Sequence, residues 1–311
     1  MTTTQMENVK ALLRGAPLDL AGDPLEMRAV FRAMLTAAPV PADVRTEPAV
    51  LGGVPALRVW VDGATPTPPT ATIVHFHGGC YAVGEPATSL NLVAALARRT
   101  GAEVLSVDYR LAPEHRYPAA VDDALAAYRA LLDAGGDPAR IVVAGESAGA
   151  GLAMATLLSA RSAGLPQPAA ALLLSPWVDL TQSGRSLETK AGVDPSMSAT
   201  ALRVRAADYL GGADPRAEQA SPAFADLRGL APLLVQAGSH EVLLDDAVRL
   251  AARAAECDVD VTLDVVAGAP HVFQAFAAVL DEAAAALDRA AAFLRDRLDP
   301  AATAAPEQVA A

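Results

Sequence analysis

An α/β chain built on a parallel sheet is what this sequence predicts, and three observations carry the prediction. Short apolar runs alternate with helix-length segments from residue 72 to residue 298, with a lapse only between 179 and 225. Such alternation demands parallel strands with helices on the faces of the sheet. Gly145-Glu146-Ser147-Ala148-Gly149 joins the apolar run 140–144 to the small-residue run 150–160, which reads as strand, sharp turn and helix. The 311 residues are 52% hydrophobic and 19% charged, enough for a large buried core, and no long linker divides them. One large domain with an appendage is expected.

Charge and composition exclude several classes of function. A net charge of −12 argues against nucleic acid or an anionic membrane as partner. Cys80 and Cys257 are the two cysteines, too few for a disulfide framework, and the first residues lack a basic segment followed by an apolar core. A cytoplasmic enzyme is the expectation. Apolar runs such as 169–174 are too short to span a bilayer and read as buried strands. His75 and His77 alternate on a strand without the third ligand that a metal site needs, and no cofactor motif occurs.

Taken in order, the chain opens with two amphipathic helices, Thr4–Arg14 and Pro24–Leu35, the second carrying Leu25, Val30, Phe31 and Leu35 at near-helical spacing. Residues 44–50 and 56–61 alternate around Gly52-Gly53 and read as an antiparallel hairpin. The Thr/Pro stretch 64–70 is a surface loop leading into the buried strand 72–77, which ends at His77-Gly78-Gly79-Cys80-Tyr81. A helix over 89–99, a strand over 103–107 and a helix ending near 132 follow. After the turn at Ser147 come the strand 169–174 and Ser175-Pro176-Trp177. The polar, Pro/Gly-punctuated stretch 179–225 holds a short helix near 200–209, and an insertion of this length reads as a lid. The alternation then resumes with strand 232–237, helix 244–257, strand 260–266 and a helix over 273–298. The Ala-rich tail, 299–311, has no amphipathic face and is expected to be disordered.

The chemistry collects at strand ends. A serine on a strand-to-helix turn is thrust out of the sheet, which makes Ser147 the candidate nucleophile. Such a serine needs a base, a carboxylate to orient it, and donors for the oxyanion. His271 lies just past the last strand, and Glu241 follows the strand before it. Asp245 and Asp246 are assigned instead to the first turn of the next helix, as partners of its free N–H groups. The loop Gly78, Gly79, Cys80, together with Ala148, supplies backbone N–H donors for the oxyanion. Tyr81, Trp177 and Phe273 are candidates for the substrate pocket, with ordinary core packing the competing reading for Trp177. His75 and His77 are read as hydrogen-bonded structural groups, His240 as an exposed loop residue, and Cys80 as a spacer. Asp108, Arg110 and Glu114 are read as braces of their loop.

Together, His77-Gly78-Gly79, the run Tyr109-Arg110-Leu111-Ala112-Pro113-Glu114, the turn around Ser147, the segment from Glu241 to Asp246, and His271 resemble the hormone-sensitive-lipase-like, or bacterial family IV, carboxylesterases of the α/β-hydrolase superfamily. The resemblance implies an eight-stranded, mostly parallel sheet and hydrolysis of small to medium acyl esters without a cofactor. It also implies a helical cap, so that 1–40 and 181–225 form the cap and 41–180 and 226–298 the core. A small-molecule ester is the implied partner, and dimers are common among similar proteins. Two departures stand out: the family's third loop glycine is Cys80 here, and its usual triad aspartate is Glu241. The same machinery opens lactones and acetylated amides, so a lactonase or deacetylase is the near alternative. A non-catalytic small-molecule receptor on this fold is the distant one, because such relatives lack a triad member whereas this chain keeps a serine, a histidine and a carboxylate.

Overall fold

The computed structural model describes residues 4–66 and 69–298, so the tail expected to be disordered lies outside the described residues. Strands β1 (Val44–Leu51) and β2 (Val54–Val61) form the expected antiparallel hairpin, and β2 pairs antiparallel with β4 (Glu103–Val107). From β4 onward every pairing is parallel, through β3 (Thr72–Phe76), β5 (Ile141–Glu146), β6 (Ala170–Leu174), β7 (Leu233–Gly238) and β8 (Val261–Val266). The resulting order is β1-β2-β4-β3-β5-β6-β7-β8, an eight-stranded, mostly parallel sheet.

The two faces of the sheet carry two cores. Along β5, Val143 points into the core shared with α4 (Ala119–Asp133), α5 (Ala148–Ser162) and α8 (Leu244–Glu256), while Val142 and Ala144 point into the core under α3 (Leu90–Thr100) and α9 (Asp281–Leu298). This alternation is the period of two that a strand imposes. Burial on both faces explains why β5 reads as an unbroken apolar run and not as a half-polar one.

The N-terminal helices α1 (Thr4–Arg14) and α2 (Pro24–Leu35) form at their expected bounds, α2 starting on an Asp23 side-chain cap. The stretch 179–225 holds α6 (Ser186–Thr189) and α7 (Ala199–Leu210), the latter capped by Ser198. The expected helix over 273–298 is instead broken. A 3-10 turn covers Phe273–Phe276 and α9 begins at Asp281. The break lets both Phe273 and Leu280 enter a small core with Met6 and Val9 of α1. Asp281 and Glu282 then stand in the first turn of α9, where negative charge is favoured. Among the described residues no helix is long and apolar enough to cross a membrane.

Candidate active site

The turn between β5 and α5 is held by close backbone approaches that only glycine permits. A Cβ on Gly149 would sit 2.0 Å from the carbonyl oxygen of Phe76, and one on Gly145 would sit 2.3 Å from that of Gly149. Between them Ser147 adopts φ 56°, ψ −120°, a backbone region that a side chain rarely tolerates. Its N–H donates to the Leu174 carbonyl at 2.8 Å and its own carbonyl accepts from Trp177 at 3.0 Å. These bonds fix the strained residue to β6, with its hydroxyl directed off the C-terminal edge of the sheet, at the positive end of α5.

His271 comes to Ser147 from the loop after β8. Its Nε2 lies 2.9 Å from Ser147 Oγ, and its Nδ1 lies 2.7 Å from Glu241 Oε2. Glu241, on the loop after β7, has no exposed surface. Its second oxygen accepts from the Gly238 N–H and, at 3.0 Å, from the Ser175 hydroxyl. Ser175 Oγ also accepts from the Val272 N–H at 3.0 Å, so one hydroxyl links the carboxylate to the backbone beside His271. Burial alone would lower the His271 pKa. The hydrogen bond and charge of Glu241, with the charges of Asp194 and Glu146, outweigh it and hold the imidazole above its ordinary value.

Asp245 and Asp246 make no bond to His271, and they do not serve the N–H groups of their own helix as expected. Asp246 Oδ2 accepts from Val178 and Asp179 at 2.8 and 2.9 Å, and Asp245 Oδ2 accepts from Ser186 at 3.1 Å. Both tie the stretch after β6 to α8. Asp194 does the same for the Glu241 loop, accepting the Val242 N–H at 2.8 Å.

The loop after β3 corrects one donor assignment. The Gly78 N–H is committed to Glu146 Oε1 at 2.7 Å, which leaves it unable to face a ligand. Among the described residues the N–H groups of Gly79, Cys80 and Ala148 have no acceptor. Gly79 has φ 117°, and a Cβ there would lie 2.1 Å from the Val83 carbonyl oxygen. Glu146 braces the loop further, taking His75 Nε2 at 2.6 Å and the Ser89 hydroxyl at 2.5 Å. Burial would raise the Glu146 pKa, but His75 and these hydrogen bonds prevail and keep the carboxyl below its usual range. His77 donates from Nδ1 to the Gly78 carbonyl at 2.7 Å and stacks on Tyr109, whose hydroxyl donates to the His77 carbonyl at 2.7 Å. Burial drives His77 down to about 4, so it stays neutral. The roles of Glu146, Ser175 and Asp194 escape sequence reasoning. Their bonds bridge elements dozens of residues apart, and no spacing within the chain marks their targets.

The remaining candidates of the loop and pocket are buried. Burial pushes the Cys80 thiol up to about 12, which removes it as a thiolate nucleophile. Tyr81 and Trp177, almost without exposed surface, pack with their rings 6.0 Å apart beside the turn at Ser147, and Tyr81 stacks on Tyr209 of α7 at 3.8 Å. Phe273 is fully buried and packs in the core with Met6 and Val9 of α1. Arg110 is bound by Asp123, and Glu114 by Arg28 of α2, so these charges brace separate contacts. Among the described residues no group of His, Cys, Asp and Glu could hold a metal ion.

Comparison with known proteins agrees with this geometry. The profile of a family described as alpha/beta hydrolase fold matches residues 73–275. An acetyl-hydrolase of Streptomyces hygroscopicus is 47% identical over 72% of this chain and 75% of its own length. An esterase of Acinetobacter venetianus is 37% identical over 92% of this chain and 93% of its own. The crystal structure of an esterase from the bacterial hormone-sensitive lipase family superposes with a TM-score of 0.92 at 41% identity, covering 96% of this chain and 99% of that one. The chain belongs to the hormone-sensitive-lipase-like, bacterial family IV esterases of the α/β-hydrolase superfamily, and it is a carboxylic-ester hydrolase.

Proposed function

We propose that Ser147, His271 and Glu241 form the catalytic triad of a serine carboxylesterase acting on small to medium acyl esters through an acyl-enzyme. The observation that carries this reading is the continuous hydrogen-bond chain, 2.9 Å from Ser147 Oγ to His271 Nε2 and 2.7 Å from His271 Nδ1 to Glu241 Oε2. Ser147 Oγ adds to the ester carbonyl carbon as its proton passes to His271 Nε2. Glu241, accepting from Nδ1, stabilises the imidazolium. The oxyanion is received by the N–H groups of Gly79, Cys80 and Ala148, each such donor being worth roughly 10² to 10³ in rate. Collapse breaks the C–O bond, and the imidazolium gives its proton to the departing alcohol. Water then adds to the acyl-serine with His271 as base, releasing the carboxylic acid and restoring the serine.

Two features support a short acyl group. The Tyr81, Trp177 and Tyr209 rings fill the space beside the turn, and the Streptomyces relative is named an acetyl-hydrolase. The same reading makes α1, α2 and the segment 181–225 a cap over Ser147, supported by Tyr209 of α7 stacking on Tyr81 of the oxyanion loop. A homodimer belongs to the reading through the family resemblance, and sedimentation velocity tests it. For the triad, p-nitrophenyl esters of increasing acyl length should show turnover highest for short chains and abolished in Ser147→Ala. Full turnover in that variant would refute the assignment.

A further inference from the structure

Arg205 is, among the described residues, the one buried Lys, Arg, Asp or Glu that leaves side-chain polar atoms unmatched. It is 2% exposed. Its Nη2 donates to the Gly22 carbonyl at 3.1 Å and lies 2.9 Å from Asp208 Oδ2. Nε and Nη1 have no acceptor. A guanidinium carries five N–H groups, so the one on Nε and the two on Nη1 are unmet, and leaving buried donors unmet is costly. Other buried charges are matched: Glu146 has three partners and Asp246 has two N–H donors.

The position of Arg205 gives these donors a direction. Arg205 and Tyr209 are one turn apart on the same face of α7. Tyr209 stacks on Tyr81 with centroids 3.8 Å apart, and Tyr81 follows Cys80 on the loop proposed to hold the oxyanion. The guanidinium is near enough to Cys80 for its charge to oppose the rise that burial imposes on that thiol. Two more buried donors without acceptors belong to the same aromatic group, Tyr209 Oη and Trp177 Nε1. The wall beside the oxyanion loop thus carries several unmatched donors, and the one unmatched carboxylate oxygen beside them, Asp208 Oδ2, lies 2.9 Å from Nη2 and makes no hydrogen bond to Nε or Nη1. A hydrocarbon acyl or alkyl chain packed there would leave them unmet, whereas an oxygen would meet them. Asp208 offsets the Arg205 charge and the chain as a whole is at −12, so a neutral oxygen is favoured over a carboxylate.

We propose that Arg205 is a specificity-determining residue that receives a neutral oxygen acceptor, such as a ketone, ether or hydroxyl oxygen, carried by the ester a few atoms from its scissile carbonyl. The proposal rests on Ser147 being the nucleophile.

The test uses isosteric ester pairs differing by one oxygen. In the acyl arm these are p-nitrophenyl methoxyacetate against butyrate and 4-oxopentanoate against 4-methylpentanoate; in the alcohol arm, 2-methoxyethyl acetate against butyl acetate. Intrinsic reactivity cancels when each kcat/KM ratio in wild type is divided by that in Arg205→Met. We expect at least one pair to favour the oxygen-bearing ester about 10- to 100-fold more in wild type than in Arg205→Met, mostly through KM. Arg205→Lys should keep part of the preference. Should Arg205→Met fail to fold, wild-type preference is read against hydroxide-catalysed hydrolysis of the same pairs, and Arg205→Lys supplies the variant. Equal ratios in every pair for wild type and variants would overturn the proposal while leaving the nucleophile assignment intact. Activity persisting in Ser147→Ala would instead remove the reading on which the proposal depends.

Discussion

Glu241 reaches His271 with a longer stem than an aspartate, and the surrounding bonds show how that length is controlled. One oxygen is held by the Gly238 N–H and the Ser175 hydroxyl, which leaves the other to face Nδ1. In Glu241→Gln the amide can no longer both accept from Nδ1–H and stay bonded to its present donors, so the imidazole loses its orientation. Turnover should fall by about 10⁴. Asp245→Asn should stay within a few-fold of wild type, because Asp245 serves Ser186 instead. The pH profile carries a second signature. In the proposed mechanism His271 must be neutral to act as base, and its pKa is raised, so kcat/KM should fall on the acid side with a midpoint above the ordinary histidine value of about 6.5. Glu241→Gln disrupts the hydrogen bond and removes the charge that are the two largest raising influences, so the acid limb of the residual activity should move to lower pH. A limb that stayed in place would mean that another group titrates there.

Between elements, the connection from β6 to α8 rests on Asp246. Burial pushes its carboxyl up to about 8; Asp179 adds to the rise, and the Val178 and Asp179 N–H groups with Arg249 oppose it. The folded pKa stands above the unfolded value of about 3.9. Its contribution to stability is therefore complete below about pH 4 and is withdrawn as pH rises toward about 8. Asp246→Asn keeps an oxygen for both N–H groups and carries no proton to lose, so its urea midpoint should lose this part of the decline between pH 4 and pH 8. Asp246→Ala leaves two buried N–H groups unmet and should cost about 1–3 kcal/mol at pH 4, a cost that shrinks toward pH 8 as wild type loses its own share. If wild type and Asp246→Asn lost stability in parallel across that window, the buried carboxyl would not be the source. This contact was not readable in the chain. Periodicity places Asp246 correctly in the first turn of its helix, but its partners are 67 and 68 residues away and depend on how the segment after β6 returns over α8.

Across the whole molecule, what could be read from sequence was what local pattern determines. The strand and helix alternation, the bounds of α1 and α2, and the glycine pair flanking Ser147 follow from periodicity and from sterics within a few residues. The commitment of Gly78 to Glu146, the break before α9 and the unmatched donors of Arg205 arise where distant elements meet, and no window of sequence contains them. The same division governs the N-terminal helices. Arg28 of α2 donates to the carbonyls of Ala82 and Ala112 at 2.9 and 3.0 Å and pairs with Glu114, anchoring the helix against the loops that follow β3 and β4. Deleting residues 1–38 should uncover this surface, raise binding of an apolar dye and reduce activity most on bulky esters; an unchanged substrate profile and stability would remove the proposed cap role. The central claim, that Ser147 is the nucleophile, is tested most directly by intact mass after reaction with a fluorophosphonate. Wild type and Cys80→Ala should each gain one phosphonyl group, mapped to the peptide containing Ser147, and Ser147→Ala should gain none. A phosphonyl adduct on Ser147→Ala, or its loss in Cys80→Ala with the fold intact, would contradict it.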